Sequence, residues 1–155
     1  MRGEFVRADG LVIPNNITTY GVRSIFGWAL RNEGYALHMG LANCAPNPLI
    51  RLQDLNEPTI GVGGYARQAI PRSSTGWPVF SELNGETYYE TQAFVFAASG
   101  PGFDKPINRL VLTNTLDGVT GEQVVALSGP LPEELTILPT TPEVERTFKY
   151  RIYGR

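Results

Sequence analysis

The sequence predicts a mainly β fold, an antiparallel β-sandwich or barrel-like domain of about seven or eight short strands with one N-terminal helix docked on it. Two observations support this prediction. The chain contains 17 glycines and 12 prolines, and beyond residue 63 these residues repeatedly interrupt short segments in which apolar and polar residues alternate. Beyond the same residue, no segment between two predicted strands is long enough for the helices that connect parallel strands.

The N-terminal part of the chain is predicted to differ from the rest. Residues 1–10 mix charged, small and apolar residues, which indicates an N-terminal arm or an edge strand. Residues 11–155 are predicted to form one domain, because a chain of 155 residues suffices for a single core. Residues 17–32 have apolar side chains at helical spacing behind a cap offered by the asparagines at residues 15–16. They predict the single helix, which we expect to pack on the sheet.

Period-two alternation places the predicted strands. A glycine turn at residues 63–64 is predicted to lead into a central strand, because residues 63–70 then alternate as a strand does. The Asn-Gly dipeptide at residues 84–85 predicts a tight hairpin, since both residue types accept positive φ. Residues 49–55 fit a helical turn as well as a strand, and both interpretations stay open. The other predicted strands cover residues 35–41, 87–97, 107–113, 123–128, 135–138 and 145–153.

Composition and charge exclude several classes of partner. Charged residues make up 18% of the chain, below the roughly 25% of a typical soluble protein, so we expect a surface rich in uncharged residues that packs against neighbours. The 13 Lys and Arg residues are scattered and the formal net charge is -2, which argues against nucleic acid as a partner. No apolar run reaches the roughly 18 residues of a membrane-spanning helix. We therefore expect a soluble protein without a membrane partner, made without a signal peptide.

No residue pattern predicts catalysis, a cofactor or a metal site. Cys44 is the only cysteine, which excludes an internal disulfide and a cysteine-based zinc site. His38, the only histidine, lies between small residues of a predicted strand and is interpreted as structural. The glycines at residues 61–64 lack the lysine and the following helix of a phosphate-binding loop. Carboxylates such as Glu82 and Glu90 could form a glycosidase pair only because that chemistry sets loose spacing demands.

Aromatic residues near the predicted turns are the remaining candidates. Trp77, Tyr89 and Phe103 are predicted to be interface or ligand-binding residues, because exposed aromatic rings stack on sugars and anchor protein contacts. The alternative, that these rings belong to the core, stays open for each of them.

Three short motifs carry a resemblance to a known family. Residues 52–58 read LQDLNEP, residues 64–68 read GYARQ, and a Gly-Trp-Pro turn follows at residues 76–78. This order resembles small virion-associated proteins of tailed bacteriophages, in which a leucine-x-aspartate-leucine/phenylalanine-x-glutamate turn precedes glycine-tyrosine-alanine-arginine-glutamine. With the front helix and the strand at residues 35–41, the resemblance covers most of residues 11–153.

The resemblance implies a non-enzymatic structural component of the virion, such as a capsid decoration or cement subunit or a head-neck accessory subunit. The alternative is a tail or head fibre or collar module that binds a host receptor or a glycan. The resemblance further implies no cofactor, other virion proteins as partners, a homo-oligomeric state, and localisation in the virion after synthesis in the host cytoplasm.

The motif residues also have a predicted structural role. Asp54 or Glu57 is expected to form an ion pair with Arg67 and so to hold the turn against the following strand. Removing one partner would cost about 3–5 kcal/mol if the pair is buried and less than about 1 kcal/mol if it is exposed. The predicted structural-motif residues are Asp54, Glu57, Gly63, Gly64, Tyr65 and Arg67.

Overall fold

The computed structural model describes residues 2–19, 21–22, 25, 36–45, 47, 49–115, 123–132 and 145–154. Within them the chain forms ten β-strands and two short 3₁₀ turns, Leu52–Asp54 and Val62–Gly64. The strands are β1 (Arg2–Arg7), β2 (Val12–Ile17), β3 (Ala36–Ala42), β4 (Gln68–Ile70), β5 (Val79–Leu83), β6 (Glu86–Glu90), β7 (Phe94–Ala97), β8 (Arg109–Thr115), β9 (Gln123–Ser128) and β10 (Glu145–Gly154).

All ten strands belong to one antiparallel sheet. Nine follow the order β4-β3-β8-β9-β2-β1-β10-β6-β5. The tenth strand, β7, pairs with residues 145–148 of β10, and β6 pairs with residues 151–154 of the same strand. The sheet curls until its β4 end approaches β7, where the Gln68 side-chain amide donates to the Val95 carbonyl. Nearby, the Ser99 N–H donates to the Gly63 carbonyl at 2.9 Å. The prediction of a mainly β, antiparallel fold is confirmed.

The core lies inside the curl because alternate residues of each strand point inward. On β3 the inward residues are Leu37, Met39 and Leu41, which confirms the period-two prediction for this strand. A smaller apolar cluster covers the outer face of β8 and β9, where Val111 and Leu127 pack. Residues 49–55 cover this second cluster and contain the first 3₁₀ turn, so their open assignment resolves to a helical turn.

Strand β1 corrects the expectation of an arm or edge strand at residues 1–10. It lies in the interior of the sheet, where Phe5 pairs with Ile13 of β2 on one side and with Tyr150 of β10 on the other. Phe5 and Val6 are buried. Glu4, one of the charged residues that suggested an arm, lies on the face opposite to Phe5, where its carboxylate accepts the Tyr153 hydroxyl at 2.8 Å.

Residues 19, 21–22 and 25 of the predicted helix at residues 17–32 are helical, but a helix docked on the sheet is not shown. Strand β2 continues through residues 15–16 to Ile17, so the asparagines pair in the sheet instead of capping a helix. Beyond Ile17 most of this segment, like the predicted strand at residues 135–138, lies outside the described residues, and what is described does not show a docked helix. Of the described part, Ile25 joins the core. None of the described helical segments combines the length and apolar character needed to cross a bilayer.

Two strand predictions fail in a similar way. The expected central strand at residues 63–70 contains only the three residues of β4, which stand at an end of the sheet, because the 3₁₀ turn occupies the segment before them. The long strand expected at residues 87–97 divides into β6 and β7, which pair with different halves of β10. Between them Thr91 turns inward, and its Oγ1 accepts the Tyr150 N–H at 2.9 Å.

The hairpin prediction is confirmed. Asn84 and Gly85 join β5 to β6 with φ of 53° and 76°, the positive values that a two-residue turn of this hand requires. Leu83 pairs with Glu86 directly beside the turn. The turn therefore sets the register of the last two strands of the sheet.

Candidate functional site

The two motifs at residues 52–58 and 64–68 meet at a half-buried ion pair. The Glu57 carboxylate accepts N–H groups of Arg67, with Nε to Oε1 at 2.9 Å and Nη2 to Oε2 at 2.7 Å. Each side chain is only 13% exposed. The predicted pairing with Arg67 is confirmed for Glu57, whereas the Asp54 carboxylate accepts the Arg51 backbone N–H at 3.2 Å and closes its own turn.

Tyr65 anchors this cluster to the sheet. Its hydroxyl accepts the Leu41 N–H at 3.0 Å and donates to the Glu57 carboxylate. Its buried ring meets the Phe103 ring edge-on at a centroid distance of 5.6 Å. Burial, together with the negative charge of Glu57, raises the pKa of the Tyr65 hydroxyl well above its ordinary value, so the hydroxyl stays protonated and remains a donor.

The glycines of the motif serve close packing. Gly63 has a φ of 61°, and a Cβ at this position would overlap the Gly102 carbonyl. Gly64 has a φ of 78°. The turn can therefore lie against the loop at residues 99–103 only with glycine at residue 63. The motif residues thus fasten the turn to β3 and to this loop, and they form a structural cluster.

Two of the three aromatic candidates come together. Trp77 and Tyr89 line a cleft of about 480 Å³ whose floor includes Ile152 of β10. Phe103 does not join them, because it is 1% exposed and packs against Tyr65. Its predicted role at an interface or ligand site is wrong, since the ring completes the core. The cleft is mainly apolar, and the loop at residues 71–78 supplies a rim of Arg72, Ser73 and Ser74.

Strand β5 ends the sheet and pairs with β6, whose Tyr89 lines the cleft. Phe80 is 64% exposed and contacts the Tyr89 ring at a centroid distance of 4.8 Å. Because the two-residue turn makes Leu83 and Glu86 a hydrogen-bonded pair, the alternation of an antiparallel ladder turns the N–H and C=O groups of Phe80 and Glu82 away from β6. These groups face the open edge of the sheet.

Among the described residues, no strand pairs with the outer edge of β5. Natural edge strands are protected by charged side chains, especially lysine, by proline, a bulge, short length or a covering segment. Strand β5 has five residues, contains neither lysine nor proline, carries one charged residue, Glu82, and pairs with β6 without a bulge. The opposite end of the sheet is different, because β4 has only three residues. We call the open edge of β5, with Phe80, Tyr89 and the adjoining cleft, the β5 surface.

Sequence reasoning missed Phe80, although a signal for it was present. The Asn-Gly turn fixes Leu83 opposite Glu86, and counting back along both strands places Phe80 opposite Tyr89. Such a cross-strand aromatic pair at the end of a sheet could have been derived from the hairpin alone.

The residues weighed for catalysis stay apart. His38 is half-buried on β3, where it pairs with Ala69 of β4 on one side and with Thr113 of β8 on the other. Cys44 is half-buried, and burial raises the pKa of its thiol, which disfavours the thiolate form. Within the described ranges, no group of three or more His, Cys, Asp or Glu side chains is arranged to hold a metal ion.

Glu90 belongs to an ion network on the outer face of β10. Its carboxylate accepts Lys149 Nζ at 2.8 Å and Arg151 Nε at 2.5 Å, and the side chain is 6% exposed. Burial acts to raise the pKa of Glu90, but the hydrogen bonds from Lys149 and Arg151 outweigh it and lower the pKa. A carboxylate with these two partners is a structural group.

This network predicts a pH dependence of stability. Because the folded-state pKa of Glu90 lies below that of the unfolded chain, the carboxylate stabilises the fold above the unfolded pKa, and this contribution is lost as pH falls through the folded pKa. Glu90→Gln is therefore expected to lower the free energy of unfolding at pH 7 by more than at pH 3. Urea denaturation at both pH values measures the two differences. Equal differences would contradict the prediction.

Comparison with known proteins gives no further guide to the site. No protein-family model, curated protein or solved structure matches the chain. The function must therefore be inferred from the chain's own residues.

Proposed function

We propose that this protein is a non-enzymatic structural subunit of a tailed-bacteriophage virion that binds neighbouring virion proteins through the β5 surface. A capsid decoration or cement subunit, or a head-neck accessory subunit, is the form we favour. The edge of β5, which no described strand covers, is the observation that carries the protein-binding part of the proposal. The virion part rests on the resemblance at residues 52–58, 64–68 and 76–78.

The β5 surface suits an extended segment of a partner protein. Such a segment would continue the sheet by exchanging hydrogen bonds with the outward N–H and C=O groups of Phe80 and Glu82. An apolar side chain of the segment would enter the cleft beside Trp77 and Tyr89. Backbone pairing supplies affinity and the cleft supplies selectivity, as in other cases of strand addition.

Assembly on a particle compensates for the small size of this contact. A five-residue edge and one cleft make a modest interface, smaller than the standard protein-protein interface of roughly 1,600 Å². Many identical contacts on a symmetric particle raise the overall affinity through avidity. Homo-oligomeric arrangement of the subunit would follow from the same symmetry.

A substitution on β5 tests the proposal directly. The N–H of Glu82 faces the open edge, so Glu82→Pro removes one donor to the partner without removing a bond to β6. We expect Glu82→Pro to bind particles that lack the native subunit about tenfold more weakly than wild type, the loss expected for one unmade hydrogen bond. Co-sedimentation with purified particles measures this binding.

The matched control is Glu82→Ala, which keeps the N–H and is expected to bind as wild type does. Phe80→Asp, which places a charge against the cleft, is expected to lose binding as Glu82→Pro does. Equal binding by Glu82→Pro and wild type would refute the edge as the interface. Absence of the native protein from purified particles, determined by mass spectrometry and cryo-electron microscopy, would refute the virion role.

The cleft favours a second candidate function, a fibre or collar module that binds a receptor glycan. Trp77 and Tyr89 share one cleft with the Ser73 hydroxyl and the Arg72 guanidinium, and aromatic faces with nearby polar groups suit a sugar ring. The two functions differ in which substitution matters. Glycan binding would be lost in Tyr89→Ala and kept in Glu82→Pro, as a glycan array or saturation-transfer NMR would show.

A further inference from the structure

We infer that a second site, built around the buried Arg109 side chain, binds a small oxyanion. The site is a cleft of about 250 Å³ at the ends of β2, β8 and β9. Its lining includes Asn16, Asn47, Arg109 and Ser128. None of these residues belongs to the β5 surface, and the site is independent of the proposed function.

Arg109 is held in place by neutral acceptors. Its Nε donates to the Cys44 carbonyl at 2.7 Å, and its Nη1 donates to the Ser128 carbonyl at 2.8 Å. The residue is 5% exposed. These two bonds fix the plane of the guanidinium and leave one N–H of Nη1 and both N–H groups of Nη2 without a partner among the described residues.

The charge of Arg109 is not balanced by a carboxylate of the described chain. Three other partly buried cations of the described residues pair with carboxylates, since Arg67 pairs with Glu57, and Lys149 and Arg151 pair with Glu90. A buried charge without a counter-ion is costly unless other groups compensate for its desolvation, and two carbonyl oxygens do so only in part. An anion that enters the cleft would complete the compensation.

The cleft defines the chemical class of the anion. The unused N–H groups of Nη1 and Nη2 are charged donors, which favour the oxygens of a carboxylate or phosphate group. Asn47 adds a donor, because its Oδ1 accepts the Leu49 N–H at 2.8 Å and its side-chain NH₂ is left for another partner. A volume of about 250 Å³ lies below the usual range for organic ligands, roughly 300–1,000 Å³, and suits a phosphate ion or a single carboxylate group.

The hydroxyl groups of Ser128 and Thr18, which also line the cleft, bond to the backbone and hold the strands around the cleft together. The Ser128 hydroxyl accepts the Leu110 N–H at 2.8 Å and donates to the Gly129 carbonyl at 2.7 Å. The Thr18 hydroxyl likewise accepts the Gly21 N–H at 2.8 Å and donates to a carbonyl of β9. Both hydroxyl hydrogens are therefore engaged, and recognition of the anion falls to Arg109 and the asparagines.

Titration of the full chain tests the inference. Sodium phosphate and sodium acetate are added separately at constant ionic strength, balanced with sodium chloride, up to about 50 mM, a range that detects dissociation constants in the millimolar range. We expect the Arg109 Nε–Hε resonance in ¹⁵N NMR spectra to shift in a saturable way. The thermal unfolding midpoint should rise with the same dependence on anion concentration.

The two anions distinguish the sources of the ligand. Saturation by phosphate alone would assign the site to a free tetrahedral anion, and saturation by acetate alone would assign it to a carboxylate such as a partner's acidic side chain; saturation by both supports the shared oxyanion chemistry. Absence of a saturable response to either anion would overturn the inference.

Variants separate anion binding from the structural role of Arg109. Asn47→Ala keeps both carbonyl bonds of Arg109 and is expected to weaken binding several-fold, as loss of one hydrogen bond does. Arg109→Lys keeps the charge but loses the paired donors, and we expect it to weaken binding about tenfold. Arg51→Gln, at an exposed arginine elsewhere, is the matched control and should respond as wild type does. An unchanged response in Asn47→Ala and Arg109→Lys would also contradict the site.

Discussion

Replacing Tyr65 with alanine is expected to lower the free energy of unfolding by about 4 kcal/mol, within the range for removing a large aromatic ring from a core. The ring is 1% exposed and contacts the Phe103 ring edge-on and the Phe96 ring in a stacked arrangement. The substitution also removes the hydroxyl, so the Leu41 N–H loses its partner inside the protein. Urea denaturation followed by circular dichroism measures the change.

Two further variants divide this effect. Tyr65→Phe keeps the ring and removes only the hydroxyl, and we expect it to cost about 1–2 kcal/mol, because the Leu41 N–H is left without its acceptor. Tyr89→Ala truncates a tyrosine that is 48% exposed and should change stability by less than about 1 kcal/mol. Similar losses for Tyr65→Ala and Tyr89→Ala would show that Tyr65 does not anchor the turn to the sheet.

The sequence predicted strands well where one face is buried and the other is polar or small. Alternation located β3 and β10 closely, because each presents inward apolar residues at every second position, whereas β9 was located as a short apolar run followed by Gly129 and Pro130. It failed at residues 87–97, where the alternation continues through Thr91 although the chain changes its position along β10 there. A local pattern does not record such a break, since the cause is pairing with a strand more than fifty residues away.

The order of the strands in the sheet could not be predicted from local patterns either, because it also depends on pairing between distant segments. Residues 1–10 were expected at the periphery, yet Phe5 lies between strands from opposite ends of the chain. Residues 63–70 were expected at the centre, yet β4 ends the sheet. Glycines that permit a sharp turn indicate a close approach to something, in this case the Gly102 carbonyl, and say nothing of strand order.

The candidate sites also divide into those made by residues close in sequence and those that only the folded chain brings together. The Glu57–Arg67 pair spans ten residues and was predicted from the two motifs, with Asp54 as the alternative partner of Arg67. The Arg109 site depends on Cys44, 65 residues before it, and on Ser128, 19 residues after it, so only the folded chain brings it together. Trp77 and Tyr89 were identified as aromatics near turns, but their shared cleft requires the register of β6 against β10.

Removing one partner of the Glu57–Arg67 pair is expected to lower the free energy of unfolding by about 3 kcal/mol, the lower end of the range for breaking a buried ion pair. Arg67→Met leaves the Glu57 carboxylate 13% exposed without its paired guanidinium. We place the value at the lower end because the Lys105 ammonium, bound to the Glu57 carbonyl at 2.8 Å, keeps a positive charge nearby.

A double-mutant cycle distinguishes the ion pair from the packing of its two side chains. Glu57→Gln with Arg67→Met removes both charges, so the double variant should lose less stability than the sum of the single losses, by about 1–3 kcal/mol. Glu86→Gln, which breaks the pair with the 53%-exposed Arg2, is the matched control and should cost less than about 1 kcal/mol. Additive losses for Glu57 and Arg67 would mean that the two charges do not interact, and the turn would then depend on Tyr65 and on the glycine packing alone.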